Sequence, residues 1–166
     1  MENQENFSYR LRKLEAYENI RAVFADYSLS ADQGRWSDVA SLFCINGALI
    51  VSGYGKYGGV DYDGVFSTRV GILQYYDTVM PDELPKSKHN IIPKNISLGT
   101  GSQNWTAYVV SYLIGADNHA GGIYEAFLRE VDAGSWQFLK LSCVNTAKRN
   151  ISDVIVGEAE FCILKD

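Results

Sequence analysis

Two side chains of this sequence, Asp32 and His89, are of the types needed for acid–base chemistry. Asp32 falls near the end of the first helical pattern, and His89 is one of only two histidines in the chain. A carboxylate that is hydrogen-bonded to an imidazole selects the tautomer of the ring and raises its basicity, so the ring can remove a proton from a substrate. The sequence therefore predicts a catalytic dyad of Asp32 and His89, provided that the fold brings them together.

Tyrosines are the second group of residues with chemical capacity. The chain has 11 of them, and each combines a ring that can stack on a flat ligand with a hydroxyl that can hydrogen-bond to it. We predict that Tyr27 and Tyr54 are catalytic residues, which polarise a carbonyl group or protonate a departing hydroxide. The second histidine, His119, is interpreted either as an ordinary turn residue or as part of the site.

Two other patterns point away from cofactor and metal chemistry. Residues 53–58 match G-x-G-x-x-G, but Gly59 and Asp61 follow where a phosphate-binding helix should begin. A glycine-rich loop at the mouth of a pocket is the better interpretation. The two histidines are far apart and have no carboxylates at ligand spacing, so no metal site is expected.

Composition and charge indicate which partners and which cellular location to expect. The net charge is −5 and no block of lysine or arginine is present, which argues against binding to nucleic acid. The polar N-terminal segment does not resemble a signal peptide, and no apolar run reaches membrane-spanning length. The three cysteines are widely spaced and odd in number, as expected for reduced thiols of a cytoplasmic protein. We predict a cytoplasmic protein without membrane contact.

The hydrophobic period changes once along the chain, near residue 90. Apolar residues first recur at helical spacing, in residues 11–31, in 36–43 and in a third pattern built on Phe66, Val70 and Leu73 that ends before Pro81. Asn46-Gly47 predicts a turn into a strand at 48–51. Later segments alternate as strands do, at residues 91–98, 105–114, 122–131 and 136–145. The pattern predicts one α+β domain over residues 1–166, with helices packed on a curved antiparallel sheet.

Three stretches of the sequence resemble the NTF2-like superfamily and, within it, the SnoaL-like branch that contains scytalone dehydratase. They are the pattern I-R-x-V-F-x-x-Y-x-x-x-x-D-x-G-x-W-x-x-x-x-x-L-F at residues 20–43, His89 leading into a strand, and G-G-x-Y-x-x-x-x-R-x-x-D-x-x-x-W at 121–136. The resemblance implies a cone in which three N-terminal helices and a bent sheet enclose a pocket. It also implies that Asp32 pairs with His89 and that no cofactor is needed.

The resemblance also suggests residues that contact the substrate. Tyr112 and His119 have the spacing of a strand tyrosine and a second catalytic histidine in scytalone dehydratase, and that enzyme's substrate-binding asparagine falls near Tyr124. We therefore predict that His119, Tyr112 and Tyr124 bind substrate. Ala31 departs from the pattern, because scytalone dehydratase has a tyrosine directly before its aspartate.

The predicted function is that of a cofactor-independent lyase, a dehydratase acting on a small cyclic or polycyclic substrate. An isomerase or cyclase that uses the same dyad is an alternative, because a proton taken from one carbon can be returned to another. A non-catalytic binding or assembly module is the other alternative, and it would need no paired Asp and His. The apolar outer face of the sheet predicts a homodimer or homotrimer, as in the family.

Overall fold

The computed structural model describes residues 2–57, 59–79, 89–100, 105–115 and 121–146. Three helices, α1 (Glu2–Asp32), α2 (Trp36–Ser41) and α3 (Thr68–Val79), lie in the first half of these residues. Eight strands follow or separate them: β1 (Phe43–Ser52), β2 (Lys56–Tyr57), β3 (Val60–Asp61), β4 (Gly64–Ser67), β5 (His89–Thr100), β6 (Trp105–Gly115), β7 (Gly121–Asp132) and β8 (Ser135–Asn145).

The long helix α1 packs through its C-terminal half. Ile20, Phe24 and Tyr27 recur at helical spacing and are almost fully buried. Leu11 and Leu14, which the periodicity assigns to the same buried stripe, are 46% and 61% exposed, so that part of the prediction is wrong. Helical spacing places residues on one face, but it cannot tell where along its length the helix meets the sheet.

The main sheet has the strand order β4-β1-β8-β7-β6-β5. The predicted antiparallel meander is confirmed, because β5, β6, β7 and β8 pair in sequence order and antiparallel. The sheet is nevertheless mixed, since β1 runs parallel to β8. This pairing corrects the prediction of a wholly antiparallel sheet. The parallel pairing is possible because the connection between β1 and β8 is long and includes α3 and the other strands of the meander.

Strand β1 is longer than the sequence suggests. The predicted turn at Asn46-Gly47 is wrong, because both residues lie inside β1 where its pairing with β8 shifts between Phe43 and Ala48. A Cβ atom on Gly47 would come within 2.9 Å of the Phe138 carbonyl oxygen, so glycine allows this close approach. Here the Asn-Gly pair marks an irregularity in the strand, which sequence does not distinguish from a turn.

The predicted third helix begins later than its pattern. Phe66 belongs to β4, and α3 starts at Thr68, whose hydroxyl accepts a hydrogen bond from the backbone N–H of Gly71 at 3.2 Å. The glycine-rich segment before β4 contains the short hairpin of β2 and β3. The loop predicted there therefore has some strand structure.

The core lies between the helices and one face of the curved sheet, and this α+β architecture confirms the predicted fold class. Alternate residues of β7 and β8 are buried, as a sheet covered on one face requires. Phe127 lies on the outer face, whereas Val109 and Leu141 are fully buried. Among the described residues, no helix is long and apolar enough to cross a membrane.

Candidate active site

Asp32 and His89 meet where the end of α1 lies beside the start of β5. The Nδ1 atom of His89 lies 2.6 Å from Oδ1 of Asp32. The backbone N–H of His89 donates to the same oxygen at 2.8 Å. Their side chains are 24% and 23% exposed, so the pair is shielded from bulk solvent without being sealed off. The predicted proximity of the two residues is therefore present, while their catalytic role stays a prediction.

The contact determines which nitrogen of His89 is available for chemistry. An ionised carboxylate only accepts hydrogen bonds, so Nδ1 carries the proton that Asp32 binds. In the neutral ring the other nitrogen, Nε2, is then left with a free lone pair and can accept a proton. The hydrogen bond from the backbone N–H of His89 to the same carboxylate oxygen fixes the backbone of His89, which limits how far the imidazole can move.

The dyad lies at one end of the inner face of the sheet, called here the dyad end. His89 is two residues from the buried Ile91, so both side chains point to the same face of β5. Ile91 pairs with Leu113, Leu113 with Gly122, and Gly122 with Asn145. These four core-facing positions form a row across the sheet, which is the row next to the dyad.

A group of buried hydroxyls lies deeper in the core. We call it the tyrosine cluster, and it consists of Tyr27, Tyr54, Tyr75, Tyr76 and Tyr124 around the thiol of Cys143. The hydroxyls of Tyr27 and Tyr76 are 2.8 Å apart. The Tyr124 ring packs edge-on against that of Tyr27, at 6.3 Å between centroids. Four elements, α1, α3, β7 and β8, and the loop after β1 supply the cluster, so only the folded chain assembles it.

Burial governs the electrostatics of the cluster. It raises the pKa of the Cys143 thiol to about 12, because a thiolate there would lose its hydration. Burial likewise raises the pKa values of Tyr27, Tyr76 and Tyr124 well above the usual tyrosine value. At neutral pH these groups are uncharged, so the hydroxyls can donate hydrogen bonds to a ligand oxygen but do not act as anions.

Tyr54 has a hydrogen-bonded support of its own. One carboxylate oxygen of Asp63 accepts the backbone N–H of Gly53 at 3.1 Å, and the other accepts that of Tyr54 at 2.9 Å. The Tyr75 hydroxyl donates to the carbonyl oxygen of Tyr62 at 3.2 Å, which connects α3 to the same segment. Asp63 thus ties the segment that carries Tyr54 to the loop before β4. Burial raises the pKa of Tyr54 above its ordinary value.

The predicted site residues have different outcomes. Tyr27, Tyr54 and Tyr124 lie together in the tyrosine cluster. Tyr112 does not, and its assignment as a substrate-binding residue is corrected: it is 45% exposed, because the alternation of β6 turns it away from the face of its buried neighbours Ser111 and Leu113. His119 lies outside the described residues.

Several residues of the site were missed by reasoning from sequence. Tyr75 and Tyr76 are not among the predicted site residues, and Cys143 is predicted only as one of three reduced thiols. Their role in the cluster depends on contacts between elements, which leave no local signal. Asp63 resembles any turn aspartate in the sequence. Among the described residues, no group of three or more His, Cys, Asp or Glu side chains is arranged to hold a metal ion.

The curved sheet under three helices is the architecture of NTF2-like proteins. More narrowly, the model of the SnoaL-like domain matches residues 12–142, and the chain belongs to that family. The match covers most of the chain, including α1 from residue 12 onward, the tyrosine cluster except Cys143, and both dyad residues. No curated protein matches the sequence significantly.

Solved structures with the same fold come from several bacteria. An NTF2-like protein with a cystatin-like fold from Novosphingobium aromaticivorans has a TM-score of 0.59 and 19% identity, over 89% of this chain and 92% of that one. A scytalone dehydratase-like protein from the same organism has a TM-score of 0.54 and 16% identity, over 81% and 87%. ActVI-ORFA from Streptomyces coelicolor has a TM-score of 0.51 and 14% identity, over 78% and 96%. At these identities the likeness concerns the fold alone.

Proposed function

We propose that this protein is a cofactor-independent lyase, a dehydratase that acts on a small cyclic or polycyclic substrate. The observation that carries the proposal is the 2.6 Å contact between Nδ1 of His89 and Asp32, which directs Nε2 of the ring away from the carboxylate. The uncharged hydroxyls of the tyrosine cluster support it, since they offer hydrogen bonds to a carbonyl oxygen. The family is consistent with this class of chemistry.

The proposed reaction is an elimination that starts with proton transfer. Nε2 of His89 takes a proton from the carbon next to a carbonyl group, and the C–H electrons move toward the carbonyl oxygen. A hydroxyl of Tyr27 or Tyr54 stabilises the negative charge that develops there. As the electrons return, the C–O bond at the next carbon breaks and the leaving hydroxide takes a proton from the imidazolium. The products are an unsaturated ketone and water, and the dyad is restored.

Isomerisation or cyclisation by the same dyad is the alternative chemistry. The first proton transfer is identical, and the outcome depends on whether the enolate loses hydroxide, accepts the proton at another carbon or attacks a second carbonyl. The shape of the pocket and the placement of the leaving group decide between them. A binding module without catalysis remains the other candidate, and a wild-type protein that binds ring ligands but exchanges no proton would favour it.

A hydroxylated bicyclic ketone provides a direct test. 3-Hydroxy-1-tetralone loses water to give 1-naphthol, whose ultraviolet absorption and fluorescence report the reaction. We expect the wild-type protein to accelerate this step, and His89→Ala and Asp32→Asn to remove most of the acceleration. Tyr112→Phe is a matched control, because it deletes a phenol hydroxyl on the outer face. Exchange of the C2 protons of 1-tetralone in D2O, followed by NMR, tests the first proton transfer separately.

The two assays separate the candidate functions. Exchange without elimination would favour an isomerase or cyclase. If wild type and His89→Ala gave equal rates in both assays, the proposed catalysis would be wrong for this substrate class.

We further propose that copies of the chain associate through the outer face of the sheet. Half-buried apolar side chains lie there, among them Tyr108 and Phe127, whose rings are 4.8 Å apart between centroids. A homodimer or homotrimer would cover this face. Light scattering at micromolar concentration should give a multiple of the 18.5 kDa chain mass, and Phe127→Glu should lower it. A monomeric wild-type mass would contradict the proposal.

The cytoplasmic location of the protein stays a prediction.

A further inference from the structure

The long helix α1 is apolar on two opposite faces. One face packs against the sheet, and its residues Ala16, Ile20 and Tyr27 are almost fully buried. Successive residues of a helix are rotated by about 100°, so a second set of side chains points directly away from that face. We call this set the outer stripe, and its members are Phe7, Leu11, Leu14, Glu18, Ala22, Ala25 and Leu29. All seven are exposed, and all but Glu18 are apolar.

The outer stripe is a contiguous apolar surface about 33 Å long. Phe7, Leu14 and Leu29 are 67%, 61% and 52% exposed. Single exposed apolar residues are ordinary on a protein surface, whereas a contiguous set of them marks an interaction surface. The apolar spacing at Leu11 and Leu14 is therefore better explained by contact with a partner than by the core of the same chain.

The spacing of the outer stripe is that of a coiled coil. Residues 7–14 and 22–29 each combine one step of three residues with one of four, as the two apolar positions of a heptad do. Two steps of four residues meet at Glu18, which gives an eleven-residue repeat that follows a nearly straight helix. A guanidinium nitrogen of Arg21 donates a hydrogen bond to Glu18 on the same helix, so the one charge within the stripe is already compensated.

Charged residues border the outer stripe, with opposite signs on its two edges. Arg10 and Arg21 lie along one edge, and Glu15 and Asp26 lie along the other. If two copies of α1 run parallel, the basic edge of one helix lies beside the acidic edge of the other. Arg10 then faces Glu15 of the second copy, five residues or about 7.5 Å further along, and Arg21 faces Asp26 in the same way. Antiparallel helices would instead place like charges together.

We propose that two copies of the chain pair in parallel through the outer stripe of α1. Apolar contact between the stripes favours association, and the charged edges select the parallel orientation. The stripe points away from the sheet, so this contact is separate from the one proposed for the outer face of the sheet, and it does not depend on the chemistry of the dyad. One helix per copy is a small contact, so we expect a dissociation constant of roughly 10 micromolar.

The mass of matched variants tests the pairing. Phe127→Glu is designed to remove the contact through the sheet, so that the outer stripe can be measured alone. By sedimentation at about 100 micromolar, well above the expected dissociation constant, we expect this variant to be a dimer and Phe127→Glu/Leu14→Glu to be a monomer. Phe127→Glu/Val70→Glu is the control, because Val70 on α3 is 65% exposed and lies outside the stripe, and it should stay a dimer. Equal masses with and without Leu14→Glu would overturn the proposal.

A disulfide tests the orientation of the two helices. Parallel pairing brings residue 14 of both copies face to face, so Leu14→Cys should form a disulfide-linked dimer under mild oxidation. The background is Cys162→Ser, since Cys44 and Cys143 are buried. Val70→Cys, which is equally exposed, should stay unlinked. A dimer that forms no disulfide at Leu14→Cys would contradict parallel pairing.

Two further results would assign the outer stripe to another occupant and so overturn the proposal. One is a monomeric protein that binds phosphatidylcholine vesicles and loses this binding in Leu14→Glu, because the stripe would then contact a membrane surface. The other is a monomeric protein whose melting temperature falls in Leu14→Glu, because the stripe would then be covered by the chain itself. With pairing between copies, the melting temperature at about 1 micromolar should be the same with and without Leu14→Glu, since the monomer prevails there.

Discussion

Among the described residues, two hydrogen-bonded side-chain pairs connect α1 to the sheet, and they differ in what they can do. At the dyad end, Asp32 binds His89 of β5. Far along the helix, Arg12 binds Glu130 of β7, with Nη2 and Oε2 3.0 Å apart. Both pairs hold the helix against a strand. Only the first contains an imidazole, which can act as a base or as an acid, whereas a guanidinium only donates hydrogen bonds.

The surroundings of the two carboxylates sharpen this difference. Both oxygens of Glu130 are occupied, one by Arg12 and the other by the backbone N–H of Gly134 at 2.9 Å. The guanidinium of Arg12 also lies 4.9 Å from the centre of the Trp105 ring. Asp32 instead receives two bonds on a single oxygen, both from His89. A carboxylate whose two oxygens both accept hydrogen bonds is suited to a structural role, whereas one paired with a partly exposed imidazole is suited to proton transfer.

The largest expected effect is on turnover. His89→Ala and Asp32→Asn should each lower the rate of 3-hydroxy-1-tetralone dehydration about 100-fold or more, the usual contribution of a general base. The double variant should be scarcely slower than either single one, because the two residues act as a unit. Glu130→Gln, at the other pair, should keep the rate within about twofold of wild type. Comparable losses at both pairs would abolish the functional distinction between them.

The next largest effect concerns stability, and it should be larger at the Arg12–Glu130 pair than at the dyad. Glu130→Ala removes the acceptor for Arg12 and for the Gly134 N–H and should lower the free energy of unfolding by about 2 kcal/mol. Asp32→Asn keeps an oxygen that can accept the His89 backbone N–H, and should cost about 1 kcal/mol or less. Urea unfolding of both variants measures this. If Asp32→Asn proved the more destabilising, the dyad would have to be regarded as mainly structural.

Alkaline pH tests the burial of the tyrosine cluster. Because burial raises the pKa of Cys143 to about 12, the thiol ionises more readily in the unfolded chain than in the folded one. Its contribution to stability is complete below about pH 8.5 and is lost as the pH rises toward 12. Cys143→Ala should reduce the slope of unfolding free energy against pH by up to about 1.4 kcal/mol per unit between pH 9 and 10. An unchanged slope would mean that the thiol is accessible to solvent.

The smallest expected effect is at the support of Tyr54. Asp63→Asn replaces one acceptor oxygen by an N–H donor, so one of the two backbone bonds to Gly53 and Tyr54 is lost. Turnover should fall about fivefold, because Tyr54 is less well positioned. Lys56→Ala is the control, since its ion pair with Asp61 is exposed and 3.7 Å long. A fall as large for Lys56→Ala would assign the effect to the hairpin as a whole.

Local pattern was a sufficient guide to most of the elements. The alternation of apolar residues after residue 90 predicted four strands, and β5 to β8 contain each of them. It failed at Asn46-Gly47 and at Phe66, where a strand continues through residues that elsewhere form a turn or a helix. Turn and helix preferences amount to about 1 kcal/mol per residue, and pairing with β8 or with β1 outweighs them here.

The sequence by itself determined the element types and the family, and through the family it indicated Asp32 and His89. The tertiary structure decided that the two side chains share one oxygen, that Tyr112 faces outward, and that tyrosines from distant segments surround Cys143. The reason is physical: periodicity specifies which residues share one face of an element. Which faces meet depends on packing among all elements at once.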